Sequence, residues 1–217
     1  MITMSLEELN NQYKQMQNEY GDSNLDSILY GGQLKNPKLC LIFMNPTGRN
    51  IAAEKSWIDL KSPWIGTKNV WKLFNQSGLI SNGIAKEISN RKGSDWDYEF
   101  TQRVYKEIED NNVYITNLAK CTQTDARPLP DRVFKDYLHL LHEELDIVRP
   151  EKIITFGNQV SKIFIGKPIS VSKDRKNIYN VNIKNTSYQT LPVYYPVGQG
   201  QRNMSKAVED IKWYLNS

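Results

Sequence analysis

Two short apolar runs in this chain each lead to an asparagine. Residues 39–44 precede Asn45, which is followed by a proline and a Thr-Gly pair, and residues 113–115 lie shortly before Asn117. Runs of this length are typical of buried strands, and open α/β sheets bind ligands beyond the carboxyl ends of their strands. The pattern therefore predicts a site with two side-chain amides. The alternative for each asparagine is a structural role, as a cap of the next turn or a strand-end amide.

The other candidates for chemistry are one tryptophan and the two histidines. Trp64 lies in the segment Ser-Pro-Trp-Ile-Gly, outside the apolar stripe of the helix that follows. An aromatic ring there could stack on a base or could cover the core. His139 and His142 are three residues apart on a predicted helix, but no carboxylate or thiol pattern completes a metal site, and Cys40 and Cys121 form no C-x-x-C pair. We therefore predict no metal.

The elements that would position these residues alternate along the chain. Strand-like runs followed by amphipathic helical patterns predict a parallel sheet with helices on both faces. The fold class is thus α/β, a three-layer sandwich around a four-stranded, mainly parallel sheet. Residues 167–189 are predicted to be irregular or a hairpin. The predicted strands are residues 39–44, 113–115, 152–156 and 191–195. The positions just beyond their ends, which should converge at one edge, are Asn45, Asn117, Gly157 and Tyr195.

Length and composition narrow the class of protein. A chain of 217 residues with 39% hydrophobic content suits one compact domain, of which residues 1–37 form an N-terminal helix and a turn-rich lead-in. No apolar run approaches the roughly 18 residues of a membrane span, so we expect a cytoplasmic protein that contacts no membrane. The phosphate-loop motif and the strand-linked G-x-G-x-x-G are both absent, which disfavours a nucleotide-dependent or other small-molecule enzyme.

Positive charge is concentrated near the carboxyl terminus. The chain carries a formal charge of +4, whereas residues 157–206, the basic segment, carry +7 by themselves. A segment of this kind is typical of a surface that follows nucleic-acid phosphates, and equally of a solvated lysine-rich face. Charge alone does not separate the two interpretations.

Several stretches, taken together and in order between Leu39 and Leu215, resemble the uracil-DNA glycosylase superfamily. They are LIFMNPTG, SPWIGTKNVWKLFNQSGLI, VYITNLAKC, DYLHLLHEELDIVRPEKIITFGNQV and VYYPVGQGQRN. The resemblance implies a monofunctional DNA glycosylase, without a cofactor, that hydrolyses the N-glycosidic bond of an extruded uracil-like or modified pyrimidine. Its branch has Asn in the first motif and no iron-sulfur cluster. The alternative is a nucleic-acid-binding module on the same fold with weakened catalysis.

The resemblance also implies roles for individual residues. Asn45 would orient the hydrolytic water, Trp64 would stack on the extruded base, and Asn117 would recognise its Watson–Crick edge. Met44 and Pro46, on either side of Asn45, are predicted to contact the base as well. An amide supplies both a donor and an acceptor, which suits the O4 and N3–H of a uracil-like edge.

One departure from the family concerns its final His-Pro-Ser motif, where this chain has Tyr195-Pro-Val. We predict that Tyr195, or a neighbour such as Gln199, replaces the missing histidine in catalysis. The turn that follows is where the family inserts a wedge into DNA, and Gln199, Gln201 and Arg202 are the predicted DNA contacts there, together with Lys120. The expected partner is duplex or single-stranded DNA, bound by a monomer. A role in repair and a role against foreign modified DNA both stay open.

Overall fold

The computed structural model describes residues 4–217, apart from the side chain of Gln199. Within these residues the α-helices are α1 (Leu6–Tyr20), α2 (Asn69–Gln76), α3 (Asn82–Asn90), α4 (Tyr98–Asp110), α5 (Asp131–Val148), α6 (Asn158–Ile165) and α7 (Met204–Leu215). The strands are β1 (Tyr30–Gly32), β2 (Leu39–Phe43), β3 (Val113–Asn117), β4 (Lys152–Phe156), β5 (Tyr179–Ile183) and β6 (Thr186–Val193). Short 3-10 segments are Ile51–Ala53, Gly93–Asp95 and Gly198–Asn203.

The strands form one sheet in the order β1-β3-β2-β4-β6-β5. The middle four are parallel, β1 runs antiparallel to β3, and β5 runs antiparallel to β6. The predicted α/β class is confirmed, but the predicted number of four strands is wrong because an antiparallel strand is added at each edge. β1 is only Tyr-Gly-Gly, whose glycines carry no strand signal. β5 and β6 are the hairpin that the sequence predicted as one of two possibilities.

The alternation of side chains along β2 divides the core into two layers. Leu39, Leu41 and Phe43 pack with α2, α3, α4 and α7, whereas Cys40 and Ile42 pack on the opposite face with α1, α5 and α6. Successive side chains of a strand point to opposite faces, so a strand buried on both sides is apolar throughout. This explains why β2 is a continuous apolar run and why it lies inside the sheet.

The terminal helices cover the two faces. α1 begins with a capping box, in which the backbone N–H of Ser5 donates to the Glu8 carboxylate at 2.7 Å. In α7, Leu215 is exposed and Tyr214 is buried. The Tyr214 hydroxyl donates to the Gln189 carbonyl at 2.7 Å, which fixes this face of α7 against β6. No helix within residues 4–217 is long and apolar enough to cross a membrane.

The carboxyl end of β2 occupies the switch point of the sheet. From β2 the chain passes to β3 on one side, and it later returns to β4 on the other side. In open α/β sheets the crevice for ligands opens where the strand order reverses in this way. The fold therefore predicts a ligand site at the loop that begins at Met44.

Candidate active site

The loops that follow β2 and β3 run side by side beyond the end of the sheet. The backbone N–H of Leu118 donates to the Phe43 carbonyl at 2.7 Å, and that of Ala119 donates to the Met44 carbonyl at 3.0 Å. Farther along, Gln123 N–H donates to the carbonyl of Pro46 at 3.1 Å. These bonds connect the segment after Asn117 to the turn that contains Asn45, so the backbones that carry the two amides are held side by side.

A cavity of about 290 Å³ opens at this edge of the sheet. This volume is close to the lower end of the range for small-ligand sites. Its lining includes six residues that the sequence singled out, from four separate segments of the chain: Met44, Asn45, Pro46, Trp64, Asn117 and Tyr195. The predicted catalytic and base-binding residues are therefore neighbours in space, although the roles assigned to them stay predictions.

Asn45 lies at the rim of this cavity and is half-buried. Its side-chain nitrogen donates to the Pro46 carbonyl at 3.1 Å. No hydrogen bond to its side-chain oxygen is found within residues 4–217, so that oxygen can accept one from a water molecule. The amide is thus oriented by its own turn and has one free acceptor.

Asn117 is buried, and its side-chain nitrogen has no hydrogen-bond partner among the described residues. A buried donor without a partner costs about 1 to 3 kcal/mol of stability. Few such groups occur in native proteins, and each calls for a physical reason. Because Asn117 lines the cavity, a ligand with a suitable acceptor would satisfy this donor.

Trp64 has a backbone conformation that is rare for a bulky residue. Its φ angle is +72°, in the left-handed region, where a non-glycine residue costs of order 1 to 3 kcal/mol. The strain is held by hydrogen bonds to its carbonyl, from the indole N–H of Trp71 at 2.9 Å and from the Thr67 hydroxyl at 2.7 Å. The Trp64 ring packs edge-on against Phe43, with ring centroids 5.0 Å apart. Both predicted roles of this ring, core cover and stacking platform, are compatible with this position.

Tyr195 follows β6, and its position depends on two glycines. A Cβ at Gly157 would lie 3.3 Å from that of Tyr195, and one at Gly200 would collide with the Tyr195 carbonyl. The Tyr195 ring centroid lies 6.4 Å from that of Trp64. Burial raises the pKa of Tyr195 to about 12 because desolvation disfavours the phenolate. The hydroxyl therefore keeps its proton at neutral pH and can donate it in a hydrogen bond.

Comparison with known families agrees with this geometry. The family profile described as the uracil DNA glycosylase superfamily matches residues 31–216 of the 217-residue chain. The chain belongs to the uracil DNA glycosylase superfamily. Membership supports a DNA glycosylase-like, hydrolytic function and DNA as the partner.

Not every predicted DNA contact of this superfamily member lies near the cavity. Gln201 and Arg202 are exposed on the 3-10 segment that precedes α7 and do not line the cavity, so their contacts with DNA stay predictions. The side chain of Gln199 lies outside the described residues. No group of three or more His, Cys, Asp or Glu side chains placed to hold a metal ion is found within residues 4–217.

The prediction that Lys120 contacts DNA is wrong. Its side chain is completely buried, and its ammonium lies 3.0 Å from the equally buried carboxylate of Glu144. The loop after β3 turns the lysine back under the sheet, toward an acid 24 residues away on α5. Nothing local in the sequence indicates this partner.

Three basic side chains at the cavity were missed by the sequence analysis. Arg49, Lys68 and Arg127, which we call the basic rim, come from three different loops, and all are exposed. The Lys68 ammonium donates to the Ser89 carbonyl at 2.7 Å, and Arg127 pairs with Asp125 two residues away. No salt bridge to Arg49 is found among the described residues. The sequence signal for Arg49 was its position four residues after Asn45, in the loop that follows the first predicted strand.

The positive charge of the basic segment, in contrast, is partly neutralised. Half of its eight basic residues pair with carboxylates that lie outside the segment. These pairs are Lys162–Asp131, Arg175–Asp210, Lys176–Glu209 and Lys184–Glu143. These four residues therefore already have carboxylate partners, which reduces the positive charge of the segment.

Proposed function

We propose that this protein is a DNA glycosylase that hydrolyses the N-glycosidic bond of an extruded uracil-like or modified pyrimidine. One observation carries the proposal: the amides of Asn45 and Asn117 line the same cavity, and each has a hydrogen-bonding atom without a protein partner. A side-chain amide without a partner inside a cavity is suited to bind a polar ligand. Its pairing capacity matches the edge of a pyrimidine.

Binding would begin with extrusion of the nucleotide from the DNA. A base inside a duplex cannot be attacked at its sugar, and flipping it out costs a few kcal/mol. Stacking on the Trp64 ring returns about 1 to 3 kcal/mol. The Asn117 amide then donates to the base O4 and accepts from N3–H, which selects a uracil-like edge over one that has an amino group at this place.

Hydrolysis would proceed through a positively charged sugar. The glycosidic bond breaks with its electron pair on the base, and the sugar becomes an oxocarbenium ion that a water molecule attacks at C1′. Asn45 is a neutral amide, so its side-chain oxygen orients this water and does not take its proton, which passes to solvent or to the departing base. The Tyr195 hydroxyl, protonated because of its raised pKa, donates a hydrogen bond to the negative charge that develops on the base.

The test is a single-turnover base-release assay with a panel of substrates. The panel contains uracil, other deaminated bases and modified pyrimidines, each in duplex and in single-stranded DNA. We expect at least one substrate to release its base, and Asn45→Ala to slow that release about 10²- to 10³-fold, as does the loss of one preorganised polar group in other enzymes. Asn90→Ala, at the exposed end of α3, is the matched control. Release by the native protein that does not exceed that of Asn45→Ala would exclude the glycosylase.

A second candidate is a nucleic-acid-binding module with weakened catalysis. The observation that favours it is Tyr195, a poorer stabiliser of a developing anion than the histidine that the family motif has at this place. This candidate predicts salt-sensitive DNA binding without base release from any member of the panel. The same substrates, used in a binding titration, distinguish it from the first candidate.

A further inference from the structure

A buried ion pair lies under the site, on the face of the sheet opposite the cavity. The Lys120 ammonium and the Glu144 carboxylate are 3.0 Å apart, and neither side chain is exposed. Burial lowers the pKa of Lys120 because desolvation disfavours the charged form, and the nearby carboxylate opposes this shift. A buried pair of this kind can often be replaced by apolar side chains without loss of stability. The pair therefore need not contribute to stability, and its role can lie in orienting the groups to which it is hydrogen-bonded.

Every group of this pair is engaged in hydrogen bonds. The Lys120 ammonium donates to the backbone carbonyl of Asn117 at 2.7 Å, to the Thr116 hydroxyl and to Glu144. The Glu144 carboxylate also accepts from the Tyr13 hydroxyl at 2.7 Å and from Thr116 at 2.6 Å. The network thus connects α1, β3 and α5. It ends on the residue whose side chain lines the cavity.

The two sides of Asn117 differ sharply in their hydrogen bonding. Thr116 and Asn117 are successive residues of β3, so their side chains point to opposite faces of the sheet. On the Thr116 face a charged donor fixes the Asn117 carbonyl, whereas on the cavity face the Asn117 amide nitrogen has no partner among the described residues. The orientation of the peptide sets the direction of the Cα–Cβ bond. Holding the carbonyl therefore fixes the direction in which the Asn117 side chain leaves the backbone.

We propose that Lys120, supported by Glu144, is a positioning residue for Asn117: it acts through the Asn117 backbone carbonyl and touches no substrate. This inference rests on the proposed function, because it takes the Asn117 amide as the group that recognises the base. A displacement of about 1 Å in a positioned group can slow a reaction by as much as about 10²-fold. Loss of the ammonium is expected to slow base release and to weaken discrimination among bases.

The test uses Lys120→Met combined with Glu144→Gln. The single lysine variant would leave a buried carboxylate uncompensated and could fail to fold. The glutamine removes this charge and keeps one acceptor oxygen, and its NH2 group can donate to the hydroxyl oxygen of the other partner, Tyr13 or Thr116. A second variant makes the whole network apolar. It combines Lys120→Met and Glu144→Leu with Tyr13→Phe and Thr116→Val. Tyr188→Phe is the matched control, because it removes a buried hydrogen bond to the Leu145 carbonyl in the same core without touching Asn117.

Two readouts separate positioning from a general loss of structure. The first is the amide ¹H–¹⁵N spectrum, in which the Asn117 side-chain signals are assigned by their absence from Asn117→Leu. The second is single-turnover release of the preferred base and of its nearest competitor. We expect shifted or doubled Asn117 signals, release slowed about 10-fold or more, and a smaller ratio between the two bases, with Tyr188→Phe unchanged in each.

The positioning role of Lys120 and the proposed glycosylase activity are tested by different outcomes. A folded double variant with native Asn117 signals and a native discrimination ratio would overturn the positioning role. If the native protein releases no base, the proposed function fails, and the spectrum alone decides whether Lys120 orients Asn117. Equal changes in Tyr188→Phe would also overturn the inference, because they would show that any weakening of this core has the same effect.

Discussion

The cavity and the basic segment are both rich in polar and charged residues, but they use them in opposite ways. In the basic segment, Arg175 makes three hydrogen bonds to the buried carboxylate of Asp210, and Lys184 contacts two acids of α5. At the cavity, the Asn117 nitrogen has no partner among the described residues, and no salt bridge to Arg49 is found there. Paired groups stabilise the fold, whereas unpaired groups at a cavity remain available to a ligand.

The net charge of a sequence segment is therefore a poor guide to where DNA binds. The net charge of +7 marks the basic segment, yet much of it is cancelled by acids outside that segment. The basic rim is a smaller group of charges that is less fully paired. The comparison predicts that changes at the cavity alter function, and that changes in the paired part of the basic segment alter stability.

The largest gain of activity is expected from Tyr195→His. A histidine in its protonated form is a stronger donor to a developing anion than a phenol whose pKa is about 12. Loss of one such donor commonly costs about 10²- to 10³-fold in rate, so its restoration should raise uracil release by up to about 10²-fold. Tyr194→His, one residue away and outside the cavity lining, is the control for single-turnover release. Unchanged or slower release in Tyr195→His would contradict the assignment of Tyr195 to the family histidine position.

The paired region is expected to respond in stability. Arg175→Met would leave the buried Asp210 carboxylate without its guanidinium partner, and breaking such a pair commonly costs about 3 kcal/mol. Denaturant unfolding should show this loss, whereas Lys167→Met, an exposed lysine of the same segment, should leave stability within about 0.5 kcal/mol. DNA affinity should not change in either variant. Weaker DNA binding by folded Arg175→Met would contradict the conclusion that the paired part of the basic segment serves stability alone.

Asn117→Leu should move function and stability in opposite directions. The leucine would remove the two hydrogen bonds to the base that we propose for Asn117, so release of a uracil-like base should fall about 10- to 10²-fold. It also removes a buried donor that has no protein partner, so the free energy of unfolding should rise by about 1 kcal/mol. Denaturant unfolding and single-turnover release measure the two effects. A decrease in both would indicate that Asn117 has a structural role at the end of β3.

The sequence predicted the parallel core and most of the cavity lining because both depend on local patterns. β2, β3 and β4 are apolar runs that end abruptly, and the residues at their ends must meet in a parallel sheet. The fate of individual charges was not predictable in the same way. The partner of Arg175 is 35 residues away, and that of Lys120 is 24 residues away. Such pairings are properties of the tertiary structure. The prediction for Lys120 therefore failed, although Asn117, three residues earlier, does line the cavity.

The basic rim offers a smaller and more direct test of the comparison. Each protein cation that neutralises a DNA phosphate contributes about 0.9 to the slope of log K against log salt for duplex DNA. Arg49→Gln should therefore weaken binding severalfold at low salt and reduce this slope by about one contact. Lys184→Gln removes an equal charge that already pairs with Glu143 and Asp146, so both quantities should stay unchanged. Equal effects of the two variants would mean that DNA does not approach through the rim.

The smallest expected effect is an absence of pH dependence. Because burial raises the pKa of Tyr195 to about 12, its hydroxyl stays protonated throughout pH 7 to about 10, where an exposed tyrosine begins to ionise. The ratio of release rates between the native protein and Tyr195→Phe should therefore be constant over this range. Above about pH 10 the unfolded chain ionises first, so this tyrosine also makes folding less favourable as the pH rises toward 12. A ratio that falls toward one between pH 8 and 10 would mean that the phenol is solvated, and that the cavity does not protect its proton.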